Sequence, residues 1–202
     1  MSSRITILGN VSALLPSEND KKVVASLEPL AKNAPPIVVS AYGAIGQKLT
    51  EMVGATIVVV GQFNPTINEK GNWAMNGFSI NIEELFPSTE WGESQVLVSI
   101  LGKYSDRFAE YAQAGSWSKY NFGISHSFMP KKEDGKYPYA NWKITKLGKD
   151  QEEIQSRFTK YLKDGDLLEA TVSLSWYEKK DGSIGMSASL KNHSFVGGNR
   201  ND

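Results

Sequence analysis

ILGNVS at residues 7–12 returns as ILGKYS at residues 100–105, and this echo decides the fold. In both copies a hydrophobic pair runs into a glycine, Gly9 or Gly102, followed by a polar residue. Working outward, AYGAIGQKLTEMVGATIVVVGQF (41–63) is answered by KLGKDQEEIQSRFTKYLKDGDLLEATVSL (146–174). Each reads as a strand end, a glycine (Gly43, Gly148), a short helical stretch, a second glycine (Gly54, Gly165) and a long strand. Self-similarity of this kind marks a repeated structural unit. The tract PSTEWGES, with Pro87, Ser88 and Gly92, makes a linker, so the chain divides into units 1–88 and 89–202.

At 202 residues the chain is long enough for one large domain or two of about 100 residues. The 22 basic and 22 acidic side chains cancel, so any attraction to nucleic acid or an anionic membrane must come from a local patch. The absence of cysteine excludes disulfides, thiol catalysis and cysteine-ligated metal, and fits a reducing compartment. MSSRITILGN lacks a basic segment followed by a long apolar run, and no stretch approaches the ~20 apolar residues that span a bilayer. A cytoplasmic protein with no membrane partner is expected, and the Asn10-Val11-Ser12 sequon carries no meaning there.

In the second unit, alternation predicts strands over Gln95–Tyr104, Trp117–Phe128, Tyr137–Lys146, Leu167–Tyr177 and Ile184–Phe195. KKEDGK and EKKDGS, each with an Asp-Gly pair, supply hairpin turns. Between the third and fourth strands DQEEIQSRFTKYL places Ile154, Phe158, Tyr161 and Leu162 on one helical face, with acids early and Lys160 and Lys163 late. The first unit repeats the order over Arg4–Ser12, Val23–Leu30, Ile37–Tyr42, Ala55–Phe63 and Gly77–Phe86. KKVVASLEPLAK also fits helical spacing, but the repeat and Pro29 favour an edge strand. Three strands, a helix and two strands close naturally as a small five-stranded Greek-key barrel, so the fold class is all-β with short helices, two tandem barrels of the OB type.

These residues resemble the bacterial single-stranded DNA-binding protein family, an OB-fold family. Its pattern is a first strand ending hydrophobic-Gly-Asn, a second like V-A-N-F-T-L-A, a third ending aromatic-Gly-Lys, a helix, and a Gly-Ser or Gly-Asp turn. The first unit offers LGN at Leu8–Asn10, VASLEPLA at Val24–Ala31 and AYG at Ala41–Gly43. The second offers LGK at Leu101–Lys103, YNFGIS at Tyr120–Ser125, LGK at Leu147–Lys149 and KDGD at Lys163–Asp166. The resemblance covers nearly the whole chain and implies non-specific binding of single-stranded DNA, no enzymatic activity and no cofactor or metal. Since four such barrels are needed to wrap DNA, it further implies a homodimer. The terminal FVGGNRND does not match the family's acidic tail ending in Pro-Phe, so recruitment of repair enzymes by that route is not implied.

Such binding needs rings for bases to stack on and cations along the backbone path. Sixteen of the 21 aromatic residues follow residue 88, which assigns most of the contact to the second unit. On its second strand Phe122 and Ile124 sit where the family packs its core, so Trp117, Lys119 and Asn121 face outward. On the fourth, Tyr177 faces outward and Trp176 falls with the core set unless the strand bends; both are candidates. In YPYANWKITKLGK (137–149) either a bulge turns Trp142 outward, or it is buried beside Ala140 and Ile144 and the outward set is Tyr139, Asn141 and Lys143. Tyr42 matches the family's strand-end aromatic, or packs at a rim. Lys131 and Lys132, with Lys136, clamp phosphates or form a solvated turn, and Trp73 is a stacking tip or a loop anchor.

Rival readings are thin. His126 falls on the core face of its strand, and GAIGQK (43–48) lacks the Gly-Lys-Ser/Thr ending of a phosphate loop. A barrel that binds protein is the main alternative, since fold alone does not settle function. RNA would suit the same surface, because stacking and cationic contacts hardly distinguish the sugars.

Overall fold

The computed structural model describes residues 3–67, 73–88, 96–127 and 139–197. The first half contains β1 (Arg4–Leu15), β2 (Lys22–Pro29), β3 (Ile37–Tyr42), helix α1 (Gly43–Glu51), β4 (Thr56–Ile67) and β5 (Trp73–Pro87). The second contains β6 (Val96–Ala114), β7 (Trp117–Ser127), β8 (Tyr139–Gly148), helix α2 (Gln151–Arg157), β9 (Leu167–Glu178) and β10 (Ile184–Gly197). One continuous ladder runs β2-β3-β5-β4-β1-β6-β7-β8-β10-β9, and the extra pairings β2–β1 and β6–β9 close it into two five-stranded barrels. In each barrel one parallel pair, β3–β5 or β8–β10, closes the Greek key. The fold class is therefore the one the alternation predicts.

The alternation sorts the side chains. Ile5, Ile7 and Val11 of β1 and Val96, Val98 and Ile100 of β6 point inward and are fully or almost fully buried. The matching glycines serve close approach: a Cβ on Gly9 would lie 2.6 Å from the Glu28 carbonyl oxygen, and one on Gly102 2.7 Å from that of Ser125. These contacts explain why the repeated motif carries glycine at that position. The barrels are stitched together where β1 pairs antiparallel with β6, Ile5 opposite Val98. Their interiors also merge, because Phe63 of β4 packs 5.1 Å, centroid to centroid, from Trp142 of β8.

Four local expectations are corrected. β2 is a strand, but not an edge: it pairs with both β1 and β3, and Pro29 is its last residue, where a missing N–H costs little. Helix α2 stops at Arg157 because Phe158 leaves helical geometry (φ −131°). Tyr161, in the 3-10 turn that follows, is consequently 62% exposed instead of sharing the face of buried Ile154 and Phe158. The first strand of the second unit runs on from Tyr104 to Ala114. Beyond Tyr104 it bulges, with Ser105 opposite Gly123 but Glu110 opposite Asn121, so four residues stand against one.

Candidate functional site

The outer face of β6, β7 and β8 collects most of the candidate chemistry. After the Gly115-Ser116 turn, where Gly115 holds φ +64°, Trp117 opens β7 opposite Ala114 with 54% of its surface exposed. Two residues on, Lys119 lies between Ala112 and the exposed Leu147. Next comes Asn121, which faces outward as expected yet is buried beneath the bulge. Its Nδ2 donates to Glu110 Oε2 at 3.3 Å, and its Oδ1 accepts from Thr145 Oγ1 at 2.8 Å. Gly123 follows, opposite the exposed Lys143. The bulge folds over it, and a Cβ there would lie 3.2 Å from Phe108 Cδ2 and from Ser105. The Arg107 guanidinium sits 5.8 Å from the Phe108 ring centroid. At the far end Ser125 pairs with Lys103 on one side and Asn141 on the other.

At that end the face opens into a cleft of about 320 Å³ lined by Lys103, Ser105, Ser125, Asn141 and Asp164. The turn before β9 forms its wall and is tied to β6. Gly165 N donates to the Tyr104 carbonyl at 2.9 Å, and Asp106 N donates to Asp164 Oδ1 at 3.1 Å.

Aromatic rings pack beneath the face. The Tyr104 and Tyr120 hydroxyls meet at 2.6 Å, and the Tyr111 ring lies tilted with its centroid 4.6 Å from that of Tyr120 while its hydroxyl reaches Thr159 Oγ1 at 3.1 Å. Burial, then the bond to Tyr120, pushes the Tyr104 phenol well above its ordinary range; burial also raises Tyr120. Both shifts favour the neutral phenols, which hold each other through the shared hydrogen bond. Burial, then nearby Lys146, lowers His193, whose ring stands edge-on to Phe158 at 4.8 Å. His126 is buried on the inward face of β7. Among the described residues no group of three or more His, Asp or Glu side chains is placed to hold a metal ion, and no helix is long and apolar enough to cross a membrane.

Two predicted stacking rings are lost to the core. Trp142 is fully buried because the β7–β8 ladder runs without a register shift from Ser118↔Gly148 to Ser127↔Tyr139, so no bulge turns the indole out. Trp176 is 6% exposed because β9 stays in register with β10 past Met186, leaving it on the inward side with Leu174. Tyr177 does face outward, at 49% exposure, but its ring lies against Gly185, where a Cβ would sit 2.6 Å from Tyr177 Cζ. It lies beyond the β6–β9 pair Val96↔Leu174, at the opposite end of β6 from Trp117. Tyr42 is 52% exposed on the first barrel, paired with Lys22, whose Nζ is 5.9 Å from the ring centroid. The side chains of Trp73 and Tyr139, and all of Lys131 and Lys132, lie outside the described residues.

The structure thus gathers Trp117, Lys119 and Lys143 on one face and leaves Tyr177 and Tyr42 elsewhere. Sequence reasoning passed over Lys103, Arg107, Phe108 and Asp164. The available signal was Ala114-Gly115-Ser116 directly before Trp117, a turn that implies a longer first strand.

No family model matches the sequence, and no curated protein matches it. Two solved structures share the architecture. The wild-type single-stranded DNA binding protein from Thermus aquaticus superposes with TM-score 0.58 at 12% identity, covering 96% of this chain and 92% of that one. A deletion mutant of the same protein gives TM-score 0.57 at 11% identity, covering 96% and 94%. At such identities the likeness establishes the fold.

Proposed function

We propose that this chain binds single-stranded DNA without enzymatic chemistry, chiefly through the outer face of β6, β7 and β8. The observation that carries the reading is the exposed Trp117 ring standing on the same strand face as the amines of Lys119, Lys143 and Lys103. A ring accepts any base by stacking, worth ~1–3 kcal/mol per base, while the cations follow the phosphates; neither reads sequence. The shared architecture with the Thermus aquaticus protein supports the same reading. Units 1–88 and 89–202 divide the work. The second makes most of the contact, and the first adds a weaker groove at Tyr42 and Lys22. In the cytoplasm such a protein protects unpaired strands during replication, recombination or repair.

The test is a titration with a thymine oligomer. Tryptophan emission falls on binding, and affinity weakens with salt at a log–log slope of about −3 if Lys103, Arg107, Lys119 and Lys143 each meet a phosphate. Lys143→Ala shallows that slope by about 0.7. A protein that leaves the oligomer unbound at low salt does not have this function.

Two copies would supply four barrels. The outer face of the β5-β4-β1-β6 ribbon offers the surface, with Val60, Thr6 and Leu97 aligned across it and Phe86 49% exposed beside Val58. Light scattering is expected to give the mass of two chains. Phe86→Glu, which puts a carboxylate in place of the exposed ring on a face that already carries the Arg4–Glu84 ion pair, is expected to return it to one.

A further inference from the structure

We infer that the cleft at the Lys103–Asn141 end of the face holds one nucleobase by its hydrogen-bonding edge and prefers cytosine. The inference rests on the single-stranded DNA reading and adds to it a local base preference that stacking and phosphate contacts do not supply.

The argument begins with the amide of Asn141. Ser125 Oγ donates to Asn141 Oδ1 at 2.6 Å, which occupies the oxygen and leaves the NH2 end, a pure donor, for the cleft. Lys103, exposed on the neighbouring strand side, is a donor with no acceptor capacity. Asp164 is the carboxylate in the lining, and its position is set by the bond from Asp106 N and by the Gly165 N–H to the Tyr104 carbonyl. Strand order fixes how these three follow one another. The ladder runs β9, β6, β7, β8, so crossing the cleft from the turn that leads into β9 meets Asp164, then Lys103 on β6, then Asn141 on β8. Set beside the Ser105 and Ser125 hydroxyls, of which Ser125 gives its proton to Asn141, the carboxylate, ammonium and amide of the lining present acceptor, donor, donor. The complementary edge is donor, acceptor, acceptor, which is cytosine's N4 amino group, N3 and O2. Thymine and uracil put an acceptor where the amino group should be, facing the Asp164 carboxylate, and a donor at N3, facing the Lys103 ammonium. A volume of about 320 Å³ lies at the lower end of the range that small-molecule sites occupy.

The test needs no variant to begin with. Oligomers of deoxycytidine and of deoxyuridine, equal in length, are titrated against the full chain at one salt concentration. They differ only at this edge, and the cytosine oligomer is expected to bind about fivefold tighter or more, the discrimination a specific base-edge contact provides. Asp164→Asn keeps an oxygen for Asp106 N but turns an NH2 towards the base, and Asn141→Ala removes the second donor. In each, the cytosine-to-uracil ratio is expected to fall towards one, with circular dichroism confirming an intact fold. Equal binding of the two oligomers by the unaltered chain, or a ratio that persists in both variants, overturns the inference and leaves the function standing. Failure to bind either oligomer overturns both.

Discussion

Trp142→Ala is expected to cost about 3–5 kcal/mol of folding stability, the range for deleting a buried aromatic side chain. Measured by urea denaturation, that is a large part of the ~5–15 kcal/mol that holds a domain folded. The indole is fully buried between Ala140 and Ile144, and it also touches Phe63 of the other barrel at 5.1 Å, which in turn stacks on Phe78 at 4.6 Å. The substitution therefore removes core from the second barrel and the seal between the two. Unfolding of the unaltered chain is expected as one transition, because the barrels share both a strand pair and this aromatic joint. In Trp142→Ala the transition is expected to broaden or divide. Trp142→Phe keeps a ring against Phe63 and should lose less than half as much. A loss below ~1 kcal/mol for the alanine variant would mean that the indole is not packed as described.

Trp117→Ala is the opposite experiment. The side chain is 54% exposed at the mouth of a tight turn, so its removal takes little from the core and the melting temperature should barely move. Affinity for a thymine oligomer, however, should drop by about 5- to 150-fold, the cost of ~1–3 kcal/mol for one stacked base. The salt slope should stay as it is, since no cation is lost. Trp117→Phe should recover part of the affinity because a smaller ring still offers a face. An unchanged affinity would remove Trp117 from the binding surface and move the stacking contact to another face.

Together the two tryptophans show how legible the chain is. Both stand on strands with clear alternation, and both were candidates for stacking. What separates them is register. Trp117 is outward because Tyr120, Phe122 and Ile124 commit the other parity of β7 to the core. For Trp142 the parity alone says buried, and a single bulge would have reversed it. Along the β6–β7 ladder the bulge falls on β6, between Ser105 and Glu110, where it folds Phe108 over Gly123 beside the cleft at Lys103.

The repeat of ILGNVS and ILGKYS, the glycine spacings and the period-two patterning by themselves determined two barrels of five strands, because hydrophobic period and turn residues are local properties of the chain. The acids early in the α2 stretch were legible too, and the structure gives two of them capping roles: the Asp150 carboxylate accepts from Glu153 N at 2.8 Å, and the Glu153 carboxylate accepts from Lys149 N at 2.7 Å. Only the tertiary structure decided which rings face solvent, that Tyr177 and Trp117 lie at opposite ends of β6, and that Asp164 meets Lys103 and Asn141. Those outcomes depend on where one strand slips against a neighbour far away in sequence, and a slip of one residue exchanges the two faces of a sheet without leaving any mark on local composition.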